Sequence, residues 1–146
     1  MQTIRAQLFS AEPALRGLRV LLIATGDPRP AQRAADAVLS MGGDVELASE
    51  LFTGLDAVID DPGGYGLFVL VCDETDDGLR TAARAMTLLR GAGCRVPAIV
   101  IGAGYRTATF PEDRAGAVTL PVNSLEKSLR PAIRHALRDR IIWRAA

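Results

Sequence analysis

At 146 residues with 49% apolar content, the chain is long enough to pack one domain and short for two of ordinary size. Seventeen basic and seventeen acidic side chains cancel, which removes the global field that would draw the protein to nucleic acid or to an anionic membrane. Cys72 and Cys94 lie in and just before apolar runs, as reduced buried thiols do, and the longest early apolar run, Val20 to Ala24, is far below a membrane span or signal-peptide core, so a soluble cytoplasmic protein is expected.

Residues 1–18 carry scattered apolar side chains with Pro13 and Gly17, and are expected to form an N-terminal extension, either a short docking helix or an arm. Arg19 to Ala24 is β-branched and leucine-rich and ends at Thr25-Gly26-Asp27-Pro28, which predicts a first strand and a turn. From Ala31 the apolar residues Ala34, Ala35, Val38, Leu39 and Met41 keep helical spacing until Gly42-Gly43. Asp44 to Ala48 alternates polar and apolar residues, as a strand with one wet side near the sheet edge does. Ser49 to Asp60 carries Leu51, Leu55, Val58 and Ile59 at helical spacing.

Leu67 to Cys72 contains no polar interruption, so both of its faces must be covered, as in the centre of a parallel sheet. An acidic loop follows, with Asp73, Glu74, Asp76 and Asp77 at the carboxyl end of this strand, where an open α/β sheet keeps its crevice. Leu79, Ala82, Ala83, Met86 and Leu89 predict a third helix ending at Gly91, with Asp77 or a neighbour as its cap. Val96 to Ile101 is a second interior strand, followed by Gly102-Ala103-Gly104. No Lys-Ser or Lys-Thr follows those glycines, so they suit turns better than a phosphate loop. Tyr105 to Gly116 lacks periodicity and contains Pro111, so any fourth helix is short or irregular. Ala117 to Leu120 reads as a brief fifth strand. Asn123 and Glu126 suggest a capping box for a last helix whose stripe is Leu125, Leu129, Ile133, Ala136 and Leu137, with Pro131 placed to kink it.

Five strands alternating with helices predict a three-layer flavodoxin-like sandwich, its parallel strands in the order 2-1-3-4-5. The domain is expected over residues 19–140, followed by a tail at 141–146. Here the residues resemble the receiver domains of two-component response regulators. Leu18 to Ile23 looks like the opening strand, Tyr65 to Val71 like the third, and Asp76-Asp77-Gly78-Leu79 like the loop into the third helix. Val96 to Ile101 looks like the fourth strand, and Ala115-Gly116-Ala117 with Thr119-Leu120-Pro121 like the approach to the last helix.

The resemblance implies a signalling module, and it also implies which positions would carry phosphoryl chemistry. The acceptor aspartate of a receiver falls on Val71, which cannot be phosphorylated, and the acidic pair that holds Mg²⁺ falls on Ala24, Thr25 or Gly26 with only Asp27 acidic nearby. The hydroxyl residue falls on Gly102 and the lysine on Leu120. These losses together point to a pseudo-receiver that is not phosphorylated, is not an enzyme and needs no cofactor. In an alternative reading Asp73, two residues beyond Val71, accepts the phosphoryl group and shares a displaced metal pocket with Asp27 and Glu74. A further alternative places a small ligand or nucleotide between Thr25-Gly26 and Gly102 to Gly104, where small residues leave room.

His135, the sole histidine, has no nucleophile placed beside it and reads as a helix-surface residue. Arg130, Arg134 and Arg138 recur every four residues, with Ile141, Ile142 and Trp143 beyond them, a composition that matches protein interaction sites. The expected partner is a protein, with a homodimer formed by the last helix, its arginines meeting Glu112 or Asp113 of a second copy.

Overall fold

Five consecutive apolar residues, Leu67 to Val71, are all buried, and they form the strand against which the other layers stack. In a computed structural model that describes residues 2–4, 15–72 and 76–138, the elements run in the order β1 (Gln2–Ile4), β2 (Arg19–Ala24), α1 (Pro28–Ser40), β3 (Asp44–Ala48), α2 (Leu51–Asp60), β4 (Leu67–Val71), α3 (Asp76–Gly91), β5 (Ala98–Gly102), β6 (Val118–Pro121) and α4 (Leu125–Ala136). The sheet order is β1-β3-β2-β4-β5-β6. Its five parallel strands, β2 to β6, follow the expected 2-1-3-4-5 arrangement.

The sheet has one strand more than expected. β1 pairs antiparallel with β3, with Gln2 opposite Leu47 and Ile4 opposite Val45, so β3 is not the edge strand. Its alternation reflects a different cause: Glu46 is buried, and its charge is matched within the fold. The remainder of the expected extension up to residue 14 lies outside the described residues, as do Asp73, Glu74, Ile141, Ile142 and Trp143.

Alternating side chains of the interior strands feed two cores. Val20, Leu22, Val69, Ile99 and Val118 pack with α1 and α4, whereas Leu21, Ile23, Phe68, Leu70 and Val100 pack with α2 and α3. Gly54 lets α2 lie close to the sheet, since a Cβ there would come within 2.3 Å of Ile23 Cδ1. Asp27 begins α1: its carboxylate accepts from the Arg29 backbone N–H at 3.0 Å, and Pro28 occupies a position where a missing N–H costs nothing.

No helix forms among residues 105–117, in line with the missing periodicity. Thr109 instead exchanges two backbone hydrogen bonds with Thr119, at 2.8 and 3.1 Å, and so covers part of the outer edge of β6. The capping box at the last helix does not form. The chain leaves β6 through a 3-10 turn at Val122–Ser124, which draws in Asn123 and leaves Ser124 at the N-cap without a side-chain bond. Pro131 lies inside α4 on its exposed side.

Toward the amino ends of β2, β3 and β4, Glu46 accepts from Arg19 at 2.7 Å and from the Tyr65 hydroxyl, while the Arg19 guanidinium lies 4.6 Å from the Tyr65 ring centroid. Burial, reinforced by the bond to Glu46, pushes the Tyr65 hydroxyl up to about 12. This cluster ties three strands together with one buried carboxylate. Because the Arg19 side chain is 43% exposed, most of its charge remains screened by water, and the lost acceptor for buried Tyr65 dominates any deletion. Glu46→Ala should therefore lower stability by about 2 kcal/mol in urea unfolding. An unchanged unfolding midpoint would show that the cluster is incidental.

Candidate functional site

The crevice of a sheet wound this way opens beyond the carboxyl ends of the strands. Along that rim the register aligns Ala24 with Val71, Val71 with Ile101, and Ile101 with Leu120. One row across four strands is thus wholly aliphatic. Val71, Ile101 and Leu120 are buried in the core beneath α1 and α4, with Ala24, Ala108 and Val122 packed against them. The row continues the pattern two residues earlier, Leu22, Val69, Ile99 and Val118, so the dry core runs to the end of each strand. No side chain in it offers a charge, a hydroxyl or an amine.

On the opposite face of the rim, Leu79 closes the space beside Gly102 and Gly104. A Cβ at Gly104 would come within 2.5 Å of Leu79 Cδ1, and one at Gly102 within 3.2 Å of Leu79 Cδ2 and 3.3 Å of the Tyr105 ring. Leu79, in the first turns of α3, therefore fills the room beside Gly102 and Gly104, and the open space of the expected crevice lies toward Thr25. Sequence reasoning placed Leu79 only in the helix stripe. Its spacing in that stripe gives no guide to a contact across the crevice, which depends on how α3 enters the sheet. Beside it, burial pushes the Cys72 thiol up to about 11, and burial with the neighbouring Cys72 raises the Tyr105 hydroxyl.

A cavity of about 260 Å³ remains next to Thr25, lined also by Leu51, Leu70, Cys72, Gly78 and Thr81, with Asp77 as its carboxylate. Thr81 turns its hydroxyl back to the Asp77 carbonyl at 2.8 Å. Asp27 faces a different task. Arg29 grips both of its oxygens, with Nε at 3.0 and 3.1 Å and a terminal nitrogen at 2.7 Å, and holds the carboxyl below its usual range. Among the described residues no group of three or more His, Cys, Asp or Glu side chains is placed to hold a metal ion. Asp73 and Glu74, the other members of the displaced pocket, fall outside them.

The arginine row of α4 does not present a single face. Arg130 donates to Ser40 Oγ at the end of α1, at 2.9 Å, while Arg138 reaches the other way and donates to the carbonyls of His135 and Glu112 at 2.8 and 2.7 Å. Four-residue spacing turns each successive arginine by about 40° on a helix of 3.6 residues per turn, enough to send the two ends to different neighbours. Arg134, between them, is exposed. His135 is half-buried, its Nε2 2.7 Å from the Pro111 carbonyl and its ring edge-on to Phe110, so it anchors the loop before β6. Asp113 bonds the Ala115 N–H at 2.9 Å within that loop. Within one chain Arg138 thus already bonds the Glu112 backbone and the Asp113 carboxylate already bonds its own loop.

No family model matches the sequence, and no curated protein does. Solved structures do. The receiver domain of the histidine kinase CKI1 from Arabidopsis thaliana, complexed with Mg²⁺ and BeF₃⁻, superposes with a TM-score of 0.59 at 18% identity, over 92% of this chain and 98% of that one. The signal receiver domain of a Luxo repressor protein from Vibrio parahaemolyticus gives 0.57 at 14% identity, over 88% and 98%. The chain has the receiver fold. At these identities the likeness extends to the fold, and the rim described above decides what the fold can do.

Cys72 supplies a direct check on that rim. A thiol moved from its ordinary range near 8.5 to about 11 carries roughly 200-fold less thiolate at pH 8. Iodoacetamide should leave Cys72 unmodified in the folded protein at pH 8 and alkylate it in urea. Since the folded thiol holds its proton longer than the unfolded one, this contribution to stability is intact below about pH 8.5 and is lost as pH rises toward 11. Rapid labelling of folded Cys72 would mean that the rim is open.

Proposed function

We propose that the protein is a pseudo-receiver: a signalling module that is not phosphorylated and acts by binding another protein. The aligned row Ala24, Val71, Ile101 and Leu120 carries this reading. Phosphoryl transfer to an aspartate requires an acceptor carboxylate, a divalent cation held by several oxygens, and a cation to balance the transferred charge. Those groups act as a unit, and along this row every position is aliphatic. The commitment of Asp27 to Arg29 and to the α1 cap adds support, because a metal ligand there would have to give up both.

A folded domain that keeps the receiver architecture while the strand ends of its crevice carry aliphatic side chains retains surfaces as its means of acting. Incubation with acetyl phosphate and Mg²⁺ should leave the intact mass unchanged. Appearance of an acid-labile adduct 80 Da heavier, on the order of one phosphoryl group per chain and mapped to Asp73, would replace this reading with that of an atypical phospho-acceptor.

A further inference from the structure

Among the described residues the large hydrophobic side chains left exposed are Phe52, Leu88 and Phe110. Phe110 leans on the His135 ring, at 5.5 Å between centroids. The other two converge. Phe52 on α2, 60% exposed, and Leu88 on α3, 46% exposed, both line one open groove of about 450 Å³ between these helices. Its floor is apolar, formed by Leu51, Leu55 and Ala85, and α3 contributes Arg80 and Arg84, one turn apart.

The helices leave this groove for a local reason. Leu51, Gly54, Leu55 and Val58 turn toward the sheet on α2, and Ala82, Ala85 and Leu89 do so on α3. Phe52 and Leu88 each stand one residue, about 100° of helix rotation, from that buried stripe. They are therefore additional to what the core needs, and they point into the cleft and not under it. Both arginines are exposed at the rim of the groove.

We propose that the α2–α3 groove is a docking site for an acidic amphipathic helix of a partner protein. Apolar side chains at three- and four-residue spacing would cover Phe52, Leu88 and the floor, while Asp or Glu beside them would meet Arg80 and Arg84. The choice of a helix follows from length. α2 and α3, of 10 and 16 residues and so roughly 15 and 24 Å long, flank the groove over a length that holds about two to three turns of a third helix. The choice of acidic residues follows from charge, since among the described residues lining the groove Arg80 and Arg84 outnumber the carboxylate of Asp77. This inference extends the reading of the protein as a binding module to a particular surface, yet it does not depend on the rim being inert.

The test needs no knowledge of the natural partner. A display library of random 16-residue peptides is selected on the full chain without Mg²⁺ or phosphodonor, and counter-selected on a Phe52→Ser/Leu88→Ser variant. All four groove residues to be changed are exposed, so equal thermal unfolding of the variants checks that the fold is kept. Recovered peptides should carry net negative charge with large apolar residues at helical spacing, and should perturb amides of α2 and α3 in NMR spectra. Arg80→Glu/Arg84→Glu should weaken the selected peptide at least about tenfold, a loss typical of close charge pairs across an interface. The proposal is overturned if selection yields no peptide dependent on Phe52 and Leu88, or if those recovered are basic or neutral. It is equally overturned if sedimentation shows that the groove is filled by a second copy and the double Ser variant abolishes that association. Phosphorylation on acetyl phosphate would leave these outcomes untouched, so the two readings fail separately.

Discussion

The structure depends on the in-register stacking of aliphatic side chains through the two central strands. β4 and β5 are buried along their whole length, and on the face covered by α1 and α4 their neighbours continue the same rows with aliphatic side chains from β2 to β6. Burial of such rows supplies most of the free energy that holds the layers together, at roughly 25 cal/mol for each Å² of apolar surface removed from water. It also fixes the chemistry of the rim. A carboxylate at Val71 or an ammonium at Leu120 would have to be accommodated at the end of a row whose other members are aliphatic, and an unpaired charge there is costly. On the proposed reading, stability and the loss of phosphoryl chemistry have one cause.

The same logic separates the two faces of the sheet. On the α1 and α4 side the charged residues of α4 are drawn into holding the molecule together, with Arg130 tying α4 to α1 and Arg138 and His135 tying it to the loop before β6. On the α2 and α3 side Gly54, Ala82 and Ala85 share the packing with Leu55, Val58 and Leu89, and Phe52 and Leu88 remain at the surface. A face whose side chains already bond within the chain has less to offer a partner than one whose apolar groups still meet water.

Most of the fold is legible in the sequence because its signals are periodic. The unbroken run at Leu67 to Val71, the helical spacing after Ala31 and the aperiodic stretch around Pro111 each correspond to what forms there. The features that are not legible are those set by distant neighbours. Three residues at Gln2–Ile4 carry no pattern of their own and become a strand by pairing with β3, which moves Asp44–Ala48 inward. Glu46 looks like the wet side of a strand until Arg19 and Tyr65, 27 and 19 residues away, are brought to it. Leu79 reads as a helix-stripe residue, and only the entry of α3 over the glycines makes it the plug of the crevice. Likewise, the regular spacing of the α4 arginines suggests one surface, whereas the positions of Ser40 and Glu112 divide them.

The central claim is that the rim of the sheet has lost the means to hold a phosphoryl group and its cation. It is tested most directly by recording amide spectra while Mg²⁺ is added, first alone and then with beryllofluoride. The account predicts no saturable shift at residues 24–27, 71–72, 76–79 or 101–104 up to millimolar cation, on the order of the weakest specific sites for divalent ions. Saturable shifts clustered at those strand ends, strengthened by beryllofluoride, would contradict it.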